Sequence, residues 1–474
     1  MVQNRRGGRR RALPAWAIAV AAVGVAAILL TVVVVYLSPG PSGPSYPYVP
    51  GALGLGPGIV WESSNYFALD SSSQSIGASS IAALVNETGI SQVSFGFAGE
   101  STNQSAGLRY LYNGVATSTS GSNDSSFISF CRSIHCSAVM GVPAEIDDPG
   151  AAAVTVRYVE QTLGFRPQYW EIGNEPVTWT HFGIPWTRWQ ATDASFATPA
   201  TYAAMVARYI PAIRAVDPTA RIIGIQADEG APANAAWFQD LVSEDGSELS
   251  AVAYHSYPGG VGSVSNDSLT DFFATLERPS AFPLNYPATV SIVQSACASC
   301  HLKVLVGEYN AALVGNYSSF VTGYPDVPYI AAGLLTGLRE NVTQVFFYAL
   351  QANAENGLLA QDGTPNPVFY LYTTFLDHLT FPEILNSSIA GGPPGLYDLV
   401  SASASTRSVF VVDTNTVAGL LLNASSVFPS GTAVTESLWG PTLGQPEVRS
   451  AVTNASATWE IPPEGVLLLN GPGA

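Results

Sequence analysis

The sequence predicts an α/β protein: a (β/α)8 TIM barrel followed by a C-terminal antiparallel β-sandwich, preceded by one N-terminal transmembrane helix. Three observations predict it. Between about residues 53 and 375, short apolar runs alternate with amphipathic segments, the pattern of parallel strands joined by crossover helices. After about Leu376 the helical spacing stops, and short apolar or alternating runs follow one another between Gly, Pro, Asn and Ser turns over residues 376–474. Ahead of both, Ala15 to Leu37 is an uncharged run of 23 residues, long enough to cross a bilayer.

The N-terminal run is preceded by Arg5, Arg6, Arg9, Arg10 and Arg11 in residues 1–14. Arginines on that side place the N-terminus inside the cell and the bulk of the chain outside, as in a signal anchor. A cleaved signal peptide is the alternative. The run is longer than a signal core, and no small-x-small cleavage site follows before Ser38-Pro39-Gly40-Pro41. Residues 38–52, rich in Pro, Gly and Ser, read as a semi-extended stalk.

Charged residues are scarce at 11%, and the formal net charge is −17. Removing the five N-terminal arginines leaves −22 for the external part, which excludes nucleic acid as a partner. The four cysteines form two local pairs, Cys131/Cys136 and Cys297/Cys300. In an external chain two short disulfides are expected. The unequal spacing does not fit a four-cysteine zinc site. Nine Asn-x-Ser/Thr sites suit a glycoprotein, although Ser/Thr richness alone supplies some of them.

The eight candidate barrel strands are Gly58–Val60, Gln92–Phe97, Ala138–Val142, Tyr169–Gly173, Arg221–Gln226, Ala251–His255, Val304–Glu308 and Gln344–Tyr348. Several are apolar throughout, as parallel strands covered on both faces must be. Seven segments between or after them show helical spacing: Ile76–Glu87, Asp124–Ile134, Ala151–Leu163, Pro199–Val216, Asn234–Ser243, Thr289–Ala298 and Val327–Arg339. The sandwich strands are expected at Tyr397–Val400, Ser408–Val412, Gly419–Leu422, Ala433–Leu438, Ala457–Ile461 and Gly465–Leu469.

Two of the barrel strands end in a carboxylate. Trp170-Glu171-Ile172-Gly173-Asn174-Glu175-Pro176 closes the fourth, and Val304-Leu305-Val306-Gly307-Glu308 closes the seventh. In a barrel of this kind, chemistry sits at the C-terminal ends of the strands. Two carboxylates there, roughly 5 Å apart, are what retaining cleavage of a glycosidic bond requires. Glu175 is then the acid/base and Glu308 the nucleophile, with Asn174 available to a sugar hydroxyl. The bland readings are a helix-capping Glu175, since Asn-Glu-Pro also fits a helix start, and a Glu308 in a surface turn. Glu171, four residues back on the same face as Glu175, reads as structural. Ala253-Tyr254-His255-Ser256-Tyr257-Pro258 closes the sixth strand, so His255 and Tyr257 are candidates to touch the sugar or orient Glu308. Glu62, Glu100, Ser101 and Asn103 follow the first two strands at the mouth. Trp179, Trp186 and Trp189 read either as a stacking wall or as loop core. No metal-binding, phosphate-binding or dinucleotide motif is present, so no metal or cofactor is expected.

These motifs resemble the clan of retaining (β/α)8 glycosidases, and most closely its heparanase/β-glucuronidase family. The Trp170–Pro176 and Val306–Glu308 segments are similar to that family's acid/base and nucleophile strands. Phe95-Gly96-Phe97-Ala98-Gly99-Glu100-Ser101 is similar to its second strand, with Ala98 interrupting the usual glycine pair. Gly363-Thr364-Pro365-Asn366-Pro367-Val368-Phe369-Tyr370 resembles the segment leading from barrel to sandwich. The resemblance implies a retaining glycosidase cleaving a glycoside or an oligo- or polysaccharide, and the N-terminal apolar run adds the expectation of a membrane anchor with the enzyme outside. It also implies a sandwich strand contributed by the segment near Tyr46 to Leu53. The single lysine argues against a sulfated polysaccharide. Arabinofuranosidase, xylosidase and endoglucanase families share the Glu pair, and a catalytically silent glycan-binding envelope protein is the reading outside enzymes.

Overall fold

The computed structural model describes residues 33–39, 46–47, 57–60, 78–95, 121–179, 182–183, 196–260, 268–312, 318–321, 323–340, 342, 344–350, 357–360, 362–378, 383–385, 387–390, 393–417, 419–443, 446–452 and 458–472. Eight parallel strands close into a barrel: β3 (Pro57–Val60), β4 (Gln92–Phe95), β5 (Ser137–Val142), β6 (Tyr169–Ile172), β7 (Ile222–Ala227), β8 (Ala251–Ser256), β9 (Lys303–Tyr309) and β10 (Val345–Phe347). β10 pairs with both β9 and β3 and so completes the ring. Each coincides with an expected strand to within two residues over the described positions.

Alternation along these strands builds two cores. Val139, Tyr169, Ile223, Ala251, Ala253, Leu305 and Phe346 pack together inside the barrel. Their neighbours Met140, Trp170, Ile222, Val252, Val304, Val345 and Phe347 face the surrounding helices. That double coverage is why the strands read as continuous apolar runs. Helices form at Pro199–Arg214 and Asp326–Arg339 as the periodicity places them, while the one expected from Thr289 already starts at Phe282, and Pro367–His378 is a helix absent from the expected segments. The expected Ala151–Leu163 helix is Pro149–Arg157, started by the Asp148 side chain on the Gly150 and Ala151 N–H groups, and it ends in a π turn over Tyr158–Thr162.

The sandwich has a seven-stranded antiparallel sheet in the order β17-β16-β19-β14-β13-β11-β2 and a four-stranded sheet in the order β12-β1-β15-β18. Here β1 is Val33–Pro39, β2 Tyr46–Pro47, β11 Glu383–Leu385, β12 Ser387–Ala390, β13 Leu396–Ala402, β14 Thr406–Asp413, β15 Leu420–Asn423, β16 Ala433–Trp439, β17 Glu447–Val452, β18 Thr458–Ile461 and β19 Val466–Pro472. Period two gives the large sheet its two faces. Val409, Val411, Leu467 and Leu469 join the sandwich core, while Phe410, Val412, Val466 and Leu468 join the barrel's helical layer. The sandwich is thereby fastened to the barrel along Asp326–Arg339.

The N-terminal segment departs from expectation. Val33–Pro39 is a strand, β1, paired antiparallel with β12 and parallel with β15, so the sandwich is not purely antiparallel. The last residues of the expected span, Val33–Leu37, therefore belong to the sandwich. A β-branched run such as Val32–Val35 is apolar enough for a bilayer and also favours an extended backbone. The rest of that span, up to Thr31 and Val32, lies outside the described residues, as does the basic tail. No helix among the described residues is long and apolar enough to cross a membrane. Within the expected stalk, Tyr46–Pro47 forms β2 on the large sheet against β11, close to where the family resemblance places an extra strand.

Candidate active site

Strand β6 delivers Glu171 and Glu175 to the barrel mouth in different ways. Glu171 follows Tyr169 on the inward face and is fully buried. The chain then leaves the strand through two left-handed residues, Gly173 (φ +87°) and Glu175 (φ +48°). A Cβ at Gly173 would lie 2.6 Å from the Trp179 ring, so glycine is required there. Glu175 is a non-glycine residue in a costly conformation of the kind that gathers at functional sites. Its N–H donates to the Gln226 carbonyl at 2.8 Å, and its carbonyl accepts from the Thr178 N–H at 2.9 Å. The turn after it, Pro176–Thr178, receives no side-chain cap, so the carboxylate is not spent on capping.

Strand β9 delivers Glu308 through a bulge. Tyr254 pairs with Val306 and His255 with Glu308, leaving Gly307 as the extra residue. Counting by two from inward-facing Leu305 would send Glu308 outward; the bulge turns it in. The Gly307 α-carbon lies against the Gln226 side chain, whose Cδ would be 2.6 Å from an added Cβ.

His255 joins the two carboxylates. Its Nδ1 lies 2.7 Å from Glu175 Oε1 and 3.3 Å from Glu308 Oε2. One acidic or imidazole atom from each of the three residues falls within 4.8 Å of the others. That separation matches the short spacing of double-displacement sites and is below the wider gap that accommodates an attacking water. The Tyr257 hydroxyl donates to Glu308 Oε2 at 2.6 Å. Burial pushes His255 toward neutrality, but Glu308, Glu175 and Glu171 outweigh it and raise its pKa to about 9. Burial acts to raise the Glu175 carboxyl, and the His255 hydrogen bond and charge reverse this, holding it below its ordinary value. The trio is also the group of potential metal ligands among the described residues. With Nδ1 facing Glu175 and the ring protonated below about pH 9, it behaves as an ion cluster.

Beneath this cluster Glu171 is pushed up to about 8 by burial, with Glu308 adding to the rise and His255 opposing it. Gln226 Nε2 donates to Glu171 Oε1 at 3.3 Å and to Asn174 Oδ1 at 2.9 Å. Asn174 also accepts the Trp179 indole N–H on its carbonyl at 2.8 Å. Glu171 thus has the structural place expected of it, and the site gathers Glu175, Glu308, Asn174, His255 and Tyr257. Gln226 and Asp228, at the end of β7, were given no role by sequence. A polar residue closing an apolar run is the one signal that could have singled them out.

Glu62, Glu100, Ser101 and Asn103 lie outside the described residues, as do Trp186 and Trp189. Trp179 is buried against Phe182 and Tyr202 and is loop core, not a sugar platform. Both expected disulfides are formed, Cys131–Cys136 ahead of β5 and Cys297–Cys300 ahead of β9.

No family model matches the sequence, and no curated protein matches it. Solved structures do match the fold. A GH51 arabinofuranosidase from Xanthomonas axonopodis pv. citri is 12% identical with a TM-score of 0.68, over 93% of this chain and 100% of that one. An α-L-arabinofuranosidase from Thermotoga maritima is 13% identical with a TM-score of 0.67, over 93% and 99%. A GH30 endoxylanase from Clostridium papyrosolvens C71 is 11% identical with a TM-score of 0.57, over 93% and 100%. At these identities the shared property is the fold: a (β/α)8 barrel with an attached β-sandwich. The heparanase-like assignment is finer than this likeness.

Proposed function

We propose that the chain is a retaining glycoside hydrolase. The observation that carries this reading is the Glu175–His255–Glu308 cluster at the C-terminal mouth of the barrel, with carboxylate and imidazole atoms within 4.8 Å of one another. Glu308, with Oε2 fixed by Tyr257, attacks the anomeric carbon and forms a glycosyl-enzyme ester. The departing oxygen takes a proton from Glu175, which draws on the proton shared with His255 Nδ1 across 2.7 Å. Glu175 then removes a proton from the water that cleaves the ester. None of these steps needs a metal. The likeness to arabinofuranosidases and xylanases agrees with this chemistry.

The charges around the cluster favour a neutral sugar. Glu175, Glu308 and Asp228 act on one another or on His255, and a substrate carboxylate would add to that field. Arabinofuranosides and xylosides therefore rank ahead of glucuronides as substrates. The basic tail and the apolar residues up to Val32 support a further reading, attachment to the membrane with the barrel outside. Release of the chain from membranes by salt alone would overturn that reading.

The test is a panel of aryl glycosides with the full-length chain and Glu308→Gln. Turnover by the wild type and none by the variant is expected. If both are equally inert across the panel, a silent glycan-binding barrel replaces the enzyme. Trapping with a fluorinated or cyclophellitol-type glycoside should label Glu308 and name the sugar.

A further inference from the structure

Asp228 lies one residue beyond β7, on the strand next to Glu175, and the register places it at the mouth. Asn174 bridges to Gln226, and the Glu175 N–H binds the Gln226 carbonyl. Gln226 points inward, at Glu171 and Asn174. Asp228, two residues on, takes the same face one layer nearer solvent. Glu175 acts on its ionisation: burial raises the Asp228 carboxyl, Asn234 opposes, and Glu175 adds to the rise. Since β6 and β7 are adjacent strands, Asp228 and Glu175 leave neighbouring strand ends at the same rim.

Asp228 is held in place. Asn234 Nδ2 donates to Asp228 Oδ1 at 2.8 Å and to the Glu229 carbonyl at 2.8 Å. Asn234 is the N-cap residue of the helix Ala235–Asp245, and asparagine is a strong capping type, yet its side chain makes no cap bond there. It is committed to the Asp228 loop instead. The loop is also pinned from behind. The Ala231 N–H donates to Thr289 Oγ1 at 2.9 Å, and a Cβ on Gly230 would lie 2.8 Å from the same oxygen. Asn234 holds Oδ1 and does not hold Oδ2, and the residue is half-buried at the mouth.

We propose that Asp228 is a leaving-group subsite: its Oδ2 accepts a hydrogen bond from a hydroxyl of the departing unit, beside the acid/base Glu175. The departing unit is then a hydroxyl-bearing one, a second sugar or a polyol, and not a bare aromatic or alkyl group. This rests on the glycosidase reading. It also explains the Asn234 arrangement, since a fixed acceptor loses less entropy on binding than a mobile one.

The experiment compares two substrates with the same glycone, a disaccharide and its 4-nitrophenyl glycoside, on the full-length chain. Asp228→Asn and Asp228→Ala should lose about 10- to 100-fold in kcat/KM on the disaccharide, the worth of one hydrogen bond to a charged group. The loss on the nitrophenyl glycoside, which has no leaving-group hydroxyl, should be at least about tenfold smaller than the loss on the disaccharide. Asn234→Ala, which frees Asp228 without removing it, should show a smaller loss confined to the disaccharide, and it serves as the test if the Asp228 variants do not fold. An equal loss on both substrates, or no loss on either, overturns the proposal. A folded wild type inert on every substrate removes the glycosidase reading itself, an outcome separable from the others.

Discussion

Replacing Glu171 by Gln should change how the stability of this protein depends on pH, and by a calculable amount. Glu171 is fully buried beneath the cluster, and its carboxyl rises from an ordinary value of 4.5 to about 8. The folded state therefore keeps a proton that the unfolded chain gives up. Stability from this group is fully present below pH 4.5 and is lost as pH rises toward 8. At about 1.4 kcal/mol per pH unit, the loss between pH 5 and pH 8 is roughly 4 kcal/mol. His255, raised from 6.5 to about 9, has the same sign, its contribution fading between pH 6.5 and 9. Glu175, held low, has the opposite sign and keeps its His255 partner in the variant, while His255 loses only the smallest of the contributions that raise it, that of Glu171. Urea unfolding at pH 5, 6.5 and 8, followed by tryptophan fluorescence, gives the comparison. Wild type and Glu171→Gln should be close at pH 5, and the variant should be about 4 kcal/mol the more stable at pH 8. Parallel decline of the two proteins would refute the argument.

Tyr257→Phe removes a 2.6 Å hydrogen bond to Glu308 and should lower kcat/KM by about 10- to 100-fold with the fold intact, measured on the best aryl glycoside with circular dichroism alongside. Gly307→Ala puts a methyl group into the Gln226 side chain; a loss of about 1–3 kcal/mol in unfolding free energy is expected, together with lower activity as Gln226 leaves Glu171 and Asn174. Replacing Cys297 and Cys300 by Ser opens a loop with a sequence separation of only 3, so denaturation should show a loss of about 2 kcal/mol and no change in activity.

The barrel was legible because each of its strands is covered on both faces and so reads as an apolar block. The Glu pair was legible because Glu175 and Glu308 interrupt such blocks at their ends. The bulge at Gly307 was not: alternation from Leu305 gives the wrong face for Glu308, and only pairing with Tyr254 and His255 reveals the extra residue. The contact between His255 and Glu175 joins residues 80 positions apart, a proximity that only the closed barrel creates. β17, with the sequence EVRSAV, lies at the sheet edge, where charges are favoured and the apolar signal is weak. At Val33–Val35 one valine run satisfies both a hydropathy window and a strand propensity, and the sandwich takes it.

The position of β1 has a consequence for the order in which the chain is made and cut. It lies between β12 and β15, so Val33–Pro39 must wait for partners that leave the ribosome several hundred residues later. The small sheet thus depends on a long-range pairing, of the kind that forms slowly. A protease that trims the chain just past Pro39 would leave the barrel's eight strands untouched. It would nonetheless split that sheet in two, exposing unpaired edges on β12 and β15 that other chains could extend. Any processing that yields a well-behaved protein has to act upstream of Val33.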